Sequence, residues 1–145
     1  MANWIEVKAR YDRLMENGVT KKVNEPYLVD ALSCSEAEAR VVDELRPFVS
    51  GDLNITSTAK TKVAEVFTDG KGDRYYRVKV NFITIDERTA AEKRTASYII
   101  VEAIDFPNAI ENFNDGMRGT LADFEIESIA ETKYIDVYPY APGNN

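Results

Sequence analysis

The chain has 145 residues, enough for one domain or for two intimate halves of about 70. Its 44% apolar content, with eight Tyr, six Phe and one Trp, is that of a globular protein, not a disordered one. The absence of histidine removes Ser-His-Asp and Cys-His triads and His-ligated metals, the lone Cys34 removes disulfide frameworks and multi-thiolate zinc sites, and a net charge of −7 argues against a generally basic nucleic-acid binder.

The opening run Met1–Glu6 has no basic stretch followed by an apolar one, so no secretory signal is expected. No later segment is long and apolar enough to span a bilayer, and a cytoplasmic location is expected. The first strand is predicted over about residues 4–13, where Ile5, Val7, Ala9 and Tyr11 alternate with Glu6, Lys8, Arg10 and Asp12. Asn17-Gly18 marks a hairpin, because both residues tolerate positive φ, and the chain returns through Lys21–Ala31. Ser33-x-x-Glu36 reads as a capping box opening a helix with the stripe Ala37, Val41 and Leu45, and Pro47 ends it. A third strand is predicted from about Leu53 to Phe67, followed by the turn Asp69-Gly70-Lys71-Gly72-Asp73.

The plan then starts again. Tyr76, Val78, Val80 and Phe82 form an inward row opposed by Arg77, Lys79 and Asn81. The loop Asp86–Glu92 replaces the Asn-Gly turn, and Asp105 takes the cap position of Ser33, with Pro107 tolerated in the first helical turn. The helix is expected to end near Gly116–Gly119 and a last strand to run from about Phe124 to Tyr138, leaving 141–145 as a flexible tail.

The chain also matches itself. Residues 29–46 align onto 101–118 at a constant shift of 72, so that Ala37, Val41 and Leu45 answer to Ala109, Phe113 and Met117. Residues 52–67 align onto 123–138 at a shift of 71, as Trp4–Lys8 does onto Tyr75–Lys79. Self-similarity at a fixed period fixes architecture better than local propensity. The expectation is an α+β fold made by tandem duplication of a ββαβ unit, residues 1–70 and 71–140. Halves this small are expected to share one core. The sheet should be mainly antiparallel, with the helices on one face and pseudo-twofold symmetry. Whether each last strand pairs within its own repeat is left open by the pattern.

Three groups of residues are candidates for function. Ser57, Thr61 and Lys62 recur as Ser128, Thr132 and Lys133, with Ala59 and Ala130 between. They are read either as paired ligand- or partner-binding sites, or as small residues kept where a helix packs closely over the strand. The second group lies on the open hairpin faces: Lys8, Arg10, Lys21, Lys22, Arg77, Lys79, Lys93 and Arg94, with Arg74. They are read either as a nucleic-acid-binding surface or as a solvated face. Charges in hairpin 4–31 cancel, hairpin 73–104 carries +1 and the remainder −8. The third group is that acidic remainder, including Glu36, Asp52, Asp105, Asp115, Asp123 and Glu127, read as a contact for a basic partner or as solvated helix faces and cap acids.

Asn112–Gly116 has a calcium-like look but lacks the regular ligand spacing, and is read as a helix C-terminus. Asp69–Asp73 lacks the phosphate-loop pattern. Cys34, matched by Phe106, is read as a packed thiol.

The runs Asn3–Lys8, Met15–Gly18, Glu25–Leu32, Glu36–Arg40, Gly72–Tyr76, Gly116–Thr120 and Ser128–Thr132 resemble a domain-of-unknown-function family of gut-type, Bacteroidetes-like bacteria and their phages. The resemblance covers nearly the whole chain. It implies a cytoplasmic single-domain protein and carries no catalytic residues. The expected function is therefore non-enzymatic binding of a protein or small ligand, without cofactor or metal and without a membrane partner. The protein is expected to act as a homodimer, as a phage or mobile-element accessory acting on a host system. Nucleic-acid binding through the hairpins is the alternative.

Overall fold

The computed structural model describes residues 3–140; the tail expected at 141–145 lies outside them. The fold is α+β, mostly strand, with two helices and two four-stranded mixed sheets. In chain order the elements are β1 (Trp4–Leu14), β2 (Thr20–Asp30), α1 (Cys34–Leu45), β3 (Asn54–Lys60), β4 (Val63–Phe67), β5 (Arg74–Ile85), β6 (Glu92–Ala103), α2 (Phe106–Gly116), β7 (Asp123–Glu131) and β8 (Asp136–Tyr138). They form two compact units, one from the segments up to Thr61 and from Lys133 onward, the other from Lys62–Thr132.

The first unit holds the sheet β3-β1-β2-β8, with β1 antiparallel to both β3 and β2, and β8 parallel to β2. The second holds β4-β6-β5-β7, with β4 parallel to β6. The single strands predicted over 53–67 and 124–138 are each two strands. β3 ends at Lys60 and β4 begins at Val63 in the other sheet; β7 ends at Glu131 and β8 begins at Asp136 in the first. The sequence pattern cannot show this break, because both pieces are strand-like and only two or four residues separate them.

The stop is a hydrogen bond. Thr61 donates to Trp4 O through both its backbone N, at 3.0 Å, and its hydroxyl, at 2.8 Å. Thr132 does the same to Tyr75 O, at 2.8 and 2.7 Å. The carbonyl that would have continued each ladder is thereby occupied at its end.

Amphipathic helices cover one face of each sheet. In the first unit Ala37, Val41 and Leu45 of α1 pack on Ile5, Val7, Ala9, Tyr11, Tyr27 and Val29, with Cys34 partly buried against the same core. In the second, Phe113 and Met117 meet Val78, Val80, Ile99 and Val101, and Ala109 sits with Tyr76 and Ala103. Both caps form as the sequence indicates. Ser33 Oγ accepts from Glu36 N at 3.1 Å, and Asp105 Oδ1 from Asn108 N at 2.9 Å. The reciprocal bonds reach one residue further back, to the N–H of Leu32 and of Ile104. The faces away from the helices are not wholly solvated: Trp4 and Leu28 in the first sheet, and Tyr75 and Ile100 in the second, are buried there.

The hairpin turns differ from expectation. Met15 and Val19 close a loop in which Gly18 alone is left-handed, at φ +83°, while Asn17 accepts from Val19 N through Oδ1. The second loop is closed between Asp86 and Ala91, and there the left-handed position falls on Ala90, at φ 57°.

Two predictions follow from these bonds and turns. Ala90→Gly removes a Cβ from a left-handed position and is expected to stabilise by about 1 kcal/mol in chemical denaturation. Thr61→Val and Thr132→Val each delete one hydroxyl donor and are expected to cost about 0.5–1.5 kcal/mol; variants as stable as the parent would show that the strand stop is set elsewhere.

Candidate functional site

The Ser-x-Ala-x-Thr-Lys motifs fall at matching places in the two units. Ser57 pairs with Lys8 and Ser128 with Lys79, and in each case the ladder slips by one residue immediately afterwards. The extra residues of these β-bulges, Thr56 and Glu127, reach over the sheet face away from the helix. Thr56 donates to Asn24 Oδ1 at 2.8 Å, and Glu127 accepts from Asn81 at 2.9 Å and Lys79 at 2.9 Å. Ser57, Ala59, Ser128 and Ala130 are exposed on that same face, so close helix packing is not what keeps them small. Thr61 and Thr132 make the strand-stop bonds, and Lys62 and Lys133, both exposed, stand just beyond them.

The basic residues of the hairpins are unevenly engaged. In the second unit Lys79 pairs with Glu127, and Arg94 pairs with Glu92 and Glu125. Arg74 lies 4.0 Å from Glu131, and the Arg77 guanidinium lies 5.8 Å over the Tyr98 ring. Lys93 is exposed. Apart from Glu92 of β6, the acids come from the bulged strand β7. Glu127 is held below the usual carboxylate range, first by the Asn81 amide and then by Lys79. In the first unit Lys8 reaches Glu6 at 4.0 Å, while Arg10, Lys21 and Lys22 are exposed on the hairpin.

A concavity lies in the second unit, between the end of β4 and the C-terminal turn of α2. It is an open cleft of about 480 Å³ lined by Val66, Phe67, Thr68, Asp69, Asn112, Asp115 and Gly116. Its geometry is fixed from beneath. Glu102, buried at the end of β6, accepts from Asp69 N at 3.1 Å and Gly70 N at 2.9 Å. Asp69 in turn accepts from Lys71 N at 2.9 Å and Gly72 N at 3.3 Å. Asn112 ties the helix to this turn, donating to Asp69 Oδ2 and to Glu102 O, both at 2.9 Å. These donors, the Lys71 backbone N–H first, hold the Asp69 carboxyl below its ordinary range.

Gly116 brings the end of α2 directly against Phe67 in the cleft wall. A Cβ there would stand 2.4 Å from the Phe67 ring. Phe67 itself leans on Phe113, with centroids 6.3 Å apart, so it cannot retreat without disturbing the core. The residues Asn112–Gly116 thus form a helix end, as the sequence reading has it, and among the described residues no three carboxylate or thiol groups converge as a metal cluster would.

The corresponding place in the first unit is filled. Counting from the helix caps, Arg40 takes the place of Asn112 and Glu44 that of Gly116. Arg40 donates to Glu44 Oε2 and to Pro139 O, both at 2.9 Å, and lies 5.7 Å over the ring of Tyr138 in β8. Tyr138 stacks on Tyr27 at 5.9 Å, and the Tyr27 and Tyr11 hydroxyls are 3.0 Å apart. Tyr11 donates to Glu25, which also pairs with Arg13. Burial, first of all, pushes the Tyr27 and Tyr138 hydroxyls far above the ordinary tyrosine range.

Sequence reasoning did not single out this cleft. The signal that could have found it is a glycine inside a helical pattern at the place where the other copy has Glu44.

Fold and site together define a small α+β protein of two mixed sheets with one face of each covered by a helix, and with an open polar-aromatic cleft on the second. The chain belongs to the family described as Domain of unknown function (DUF4494), whose model matches residues 3–140. No curated protein and no solved structure matches it.

The Asp69 shift sets a pH prediction. Its folded value is depressed, so the stability it contributes is present above the unfolded value of about 3.9 and is lost as pH falls through the folded value. Asp69→Asn is therefore expected to flatten the acid limb of a stability–pH profile measured by urea denaturation. An unchanged limb would mean that the carboxylate is not preferentially stabilised in the fold.

Proposed function

We propose that the protein is a non-enzymatic binding module that recognises a protein or small ligand in the cleft between β4 and α2. The observation that carries this reading is the open cleft of about 480 Å³ whose turn is held by Glu102, Asp69 and Asn112. At the helix position that bears Glu44 in the first unit, Gly116 of the second lets the Phe67 ring pack directly on the helix end, where a Cβ would strike it. A concavity walled by that ring contact, beside a turn fixed by Glu102, Asp69 and Asn112, fits a preformed ligand site.

Both units are read as products of one tandem duplication with pseudo-twofold symmetry. Supporting this are the same strand order, the bulge after Lys8 and after Lys79, the paired threonine stops and the two matching caps. In such a pair one copy keeps the structural arrangement and the other is free to diverge toward a ligand. A cytoplasmic accessory role for a phage or mobile element acting on a host protein, and self-association into a homodimer through the edge strands, belong to the same proposal. The nucleic-acid alternative needs unneutralised cations. It is supported by Arg10, Lys21 and Lys22, and weakened by the acids that engage Lys79 and Arg94.

The test is recovery of partners from a lysate on tagged protein, with and without nuclease, beside the Asp115→Lys variant. Asp115 is exposed and its loss removes only the 2.9 Å pair with Arg118. One dominant protein that survives nuclease and drops at least tenfold with Asp115→Lys is the expected result. Nuclease-sensitive recovery that is lost instead in Lys22→Glu would transfer the function to the hairpin, and turnover of any substrate by the purified protein would end the non-enzymatic reading.

A further inference from the structure

We infer that the flank of α2 turned away from the cleft is a second docking surface, which seats a basic amphipathic helix of a partner protein between α2 and β7. This surface does not depend on the cleft reading. Helical spacing separates the two flanks. Asn112 and Gly116 meet Asp69 and Phe67 on the cleft side. Phe106 and, one turn on, Ile110 lie on the other, with the Phe106 ring 4.8 Å from that of Tyr76 in β5.

Opposite them stands the helix-facing row of β7. Ile126 pairs with Val80 and Ile129 with Val78, and directly opposed residues of an antiparallel pair point to the same side. Val78 and Val80 belong to the core under α2, and Ile129 packs with Tyr76 and Ala109. Above that floor Phe106, Ile110 and Ile126 stay 45, 42 and 38% exposed. A cluster of exposed apolar side chains with a polar surround marks an interaction site more often than a scattered few do.

The first unit finishes the same shoulder differently. Cys34, Glu38 and Thr58 stand where the second has Phe106, Ile110 and Ile129. Thr58 donates to Glu38 Oε2 at 3.4 Å, which ties the helix to its edge strand, and Cys34, Glu38 and Ile55 are all half-buried. Two isoleucines can form no such bond. The second unit thus exchanges a polar tie for apolar side chains and leaves them in solvent.

Size and charge select the occupant. Three such side chains expose on the order of a few hundred Å², short of the roughly 800 Å² per partner of a standard interface, which suits a short segment better than a second copy of the chain. The segment 105–131, which forms α2 and β7, holds seven acids and the single base Arg118, and so nearly all of the chain's net charge of −7. Lys79, Arg94 and Arg74 lie against three of those acids, but Asp105, Glu111, Asp115 and Asp123 still outnumber Arg118. A second copy would bring the same sign to this face. A helix whose apolar stripe is flanked by Lys or Arg brings the opposite sign, and lays its i, i+3 and i+4 side chains into the apolar trough.

The experiment is selection, on the full chain, of a displayed library of amphipathic helices about 18 residues long, with a fixed leucine stripe and Lys or Glu varied freely elsewhere. The enriched peptide is mapped by amide chemical shifts. It is then titrated against the parent, against Ile110→Glu, and against Ile110→Glu combined with Ile129→Thr, which installs the first unit's pair. Expected are Lys-rich peptides, shifts centred on residues 104–110 and 124–130, and binding at least tenfold weaker in both variants, each with the parent's cooperative thermal unfolding. Ile110 is exposed, so the single variant decides should the double one unfold. Ile110→Glu adds negative charge, so binding that holds or tightens in it would show association by charge alone and overturn the inference. Enrichment without bias toward Lys, or of no peptide at this flank, would overturn it too. Shifts confined to 64–69 and 112–116 would overturn it while supporting the cleft as the binding site. Self-association of the parent in sedimentation that Ile110→Glu abolishes would overturn the choice of partner and give the surface to a second copy.

Discussion

Two threonines decide how this chain is divided. Each donates twice to one carbonyl, Thr61 to Trp4 O and Thr132 to Tyr75 O, and so ends the antiparallel ladder it has been following. Beyond each stop the chain leaves its sheet and contributes a parallel strand to the other one. By this crossing the first unit is completed by a segment distant from it in sequence, β8, whereas the second is one continuous run that opens with β4. The aromatic residues that close the helix-covered cores at that edge, Phe67 and Tyr138, come with those segments. A parallel neighbour cannot be reached by a hairpin, and a crossing of this kind is one of the few ways a short chain obtains it.

The bulges after Lys8 and Lys79 act on the other side of each sheet. A bulge leaves one residue unpaired and bends the strand. Here the unpaired residues are polar and are put to use across the face: Thr56 on Asn24, and Glu127 on Lys79 and Asn81. In the second unit this recruits β7 acids to neutralise the basic residues of the hairpin. The surface that looks cationic when β5 and β6 are read alone becomes a balanced one when the third strand is laid beside them. Exposed pairs of this kind contribute little to stability, but they decide what the face presents to a partner.

The two units solve the helix-edge junction with opposite chemistry. In the first, a cation, a carboxylate and stacked tyrosines fill the space, and burial pushes the Tyr27 and Tyr138 hydroxyls above the ordinary tyrosine range. In the second, phenylalanines pack together and Gly116 lets Phe67 close directly on the helix end. The ring contacts Phe67–Phe113, Phe113–Phe124 and Phe82–Phe124 keep that floor rigid without any polar group that needs a partner. A cleft floored in this way is preorganised, because little ordering of its floor is left to be done.

The sequence by itself determined the α+β class, the hairpins, both capped helices and the buried stripes. Ala37, Val41 and Leu45 are buried in one helix, and Ala109, Phe113 and Met117 at the same places in the other segment. Each of these is a local matter of period, cap or turn, written in residues within a few positions of one another. The turn conformations were half legible: Gly18 is left-handed as its type suggests, whereas Ala90 adopts that region because the loop closure between Asp86 and Ala91 requires it. Only the tertiary structure decided which strand pairs with which, and therefore where the cleft lies. β3 and β4 read as one strand because strand propensity carries no record of the partner. Likewise Asp69, Asn112 and Gly116 belong to one site only once β4 has been placed beside β6 and under the end of α2. Pairing across a long stretch of sequence is settled by the packing of the whole sheet, and no local window contains it.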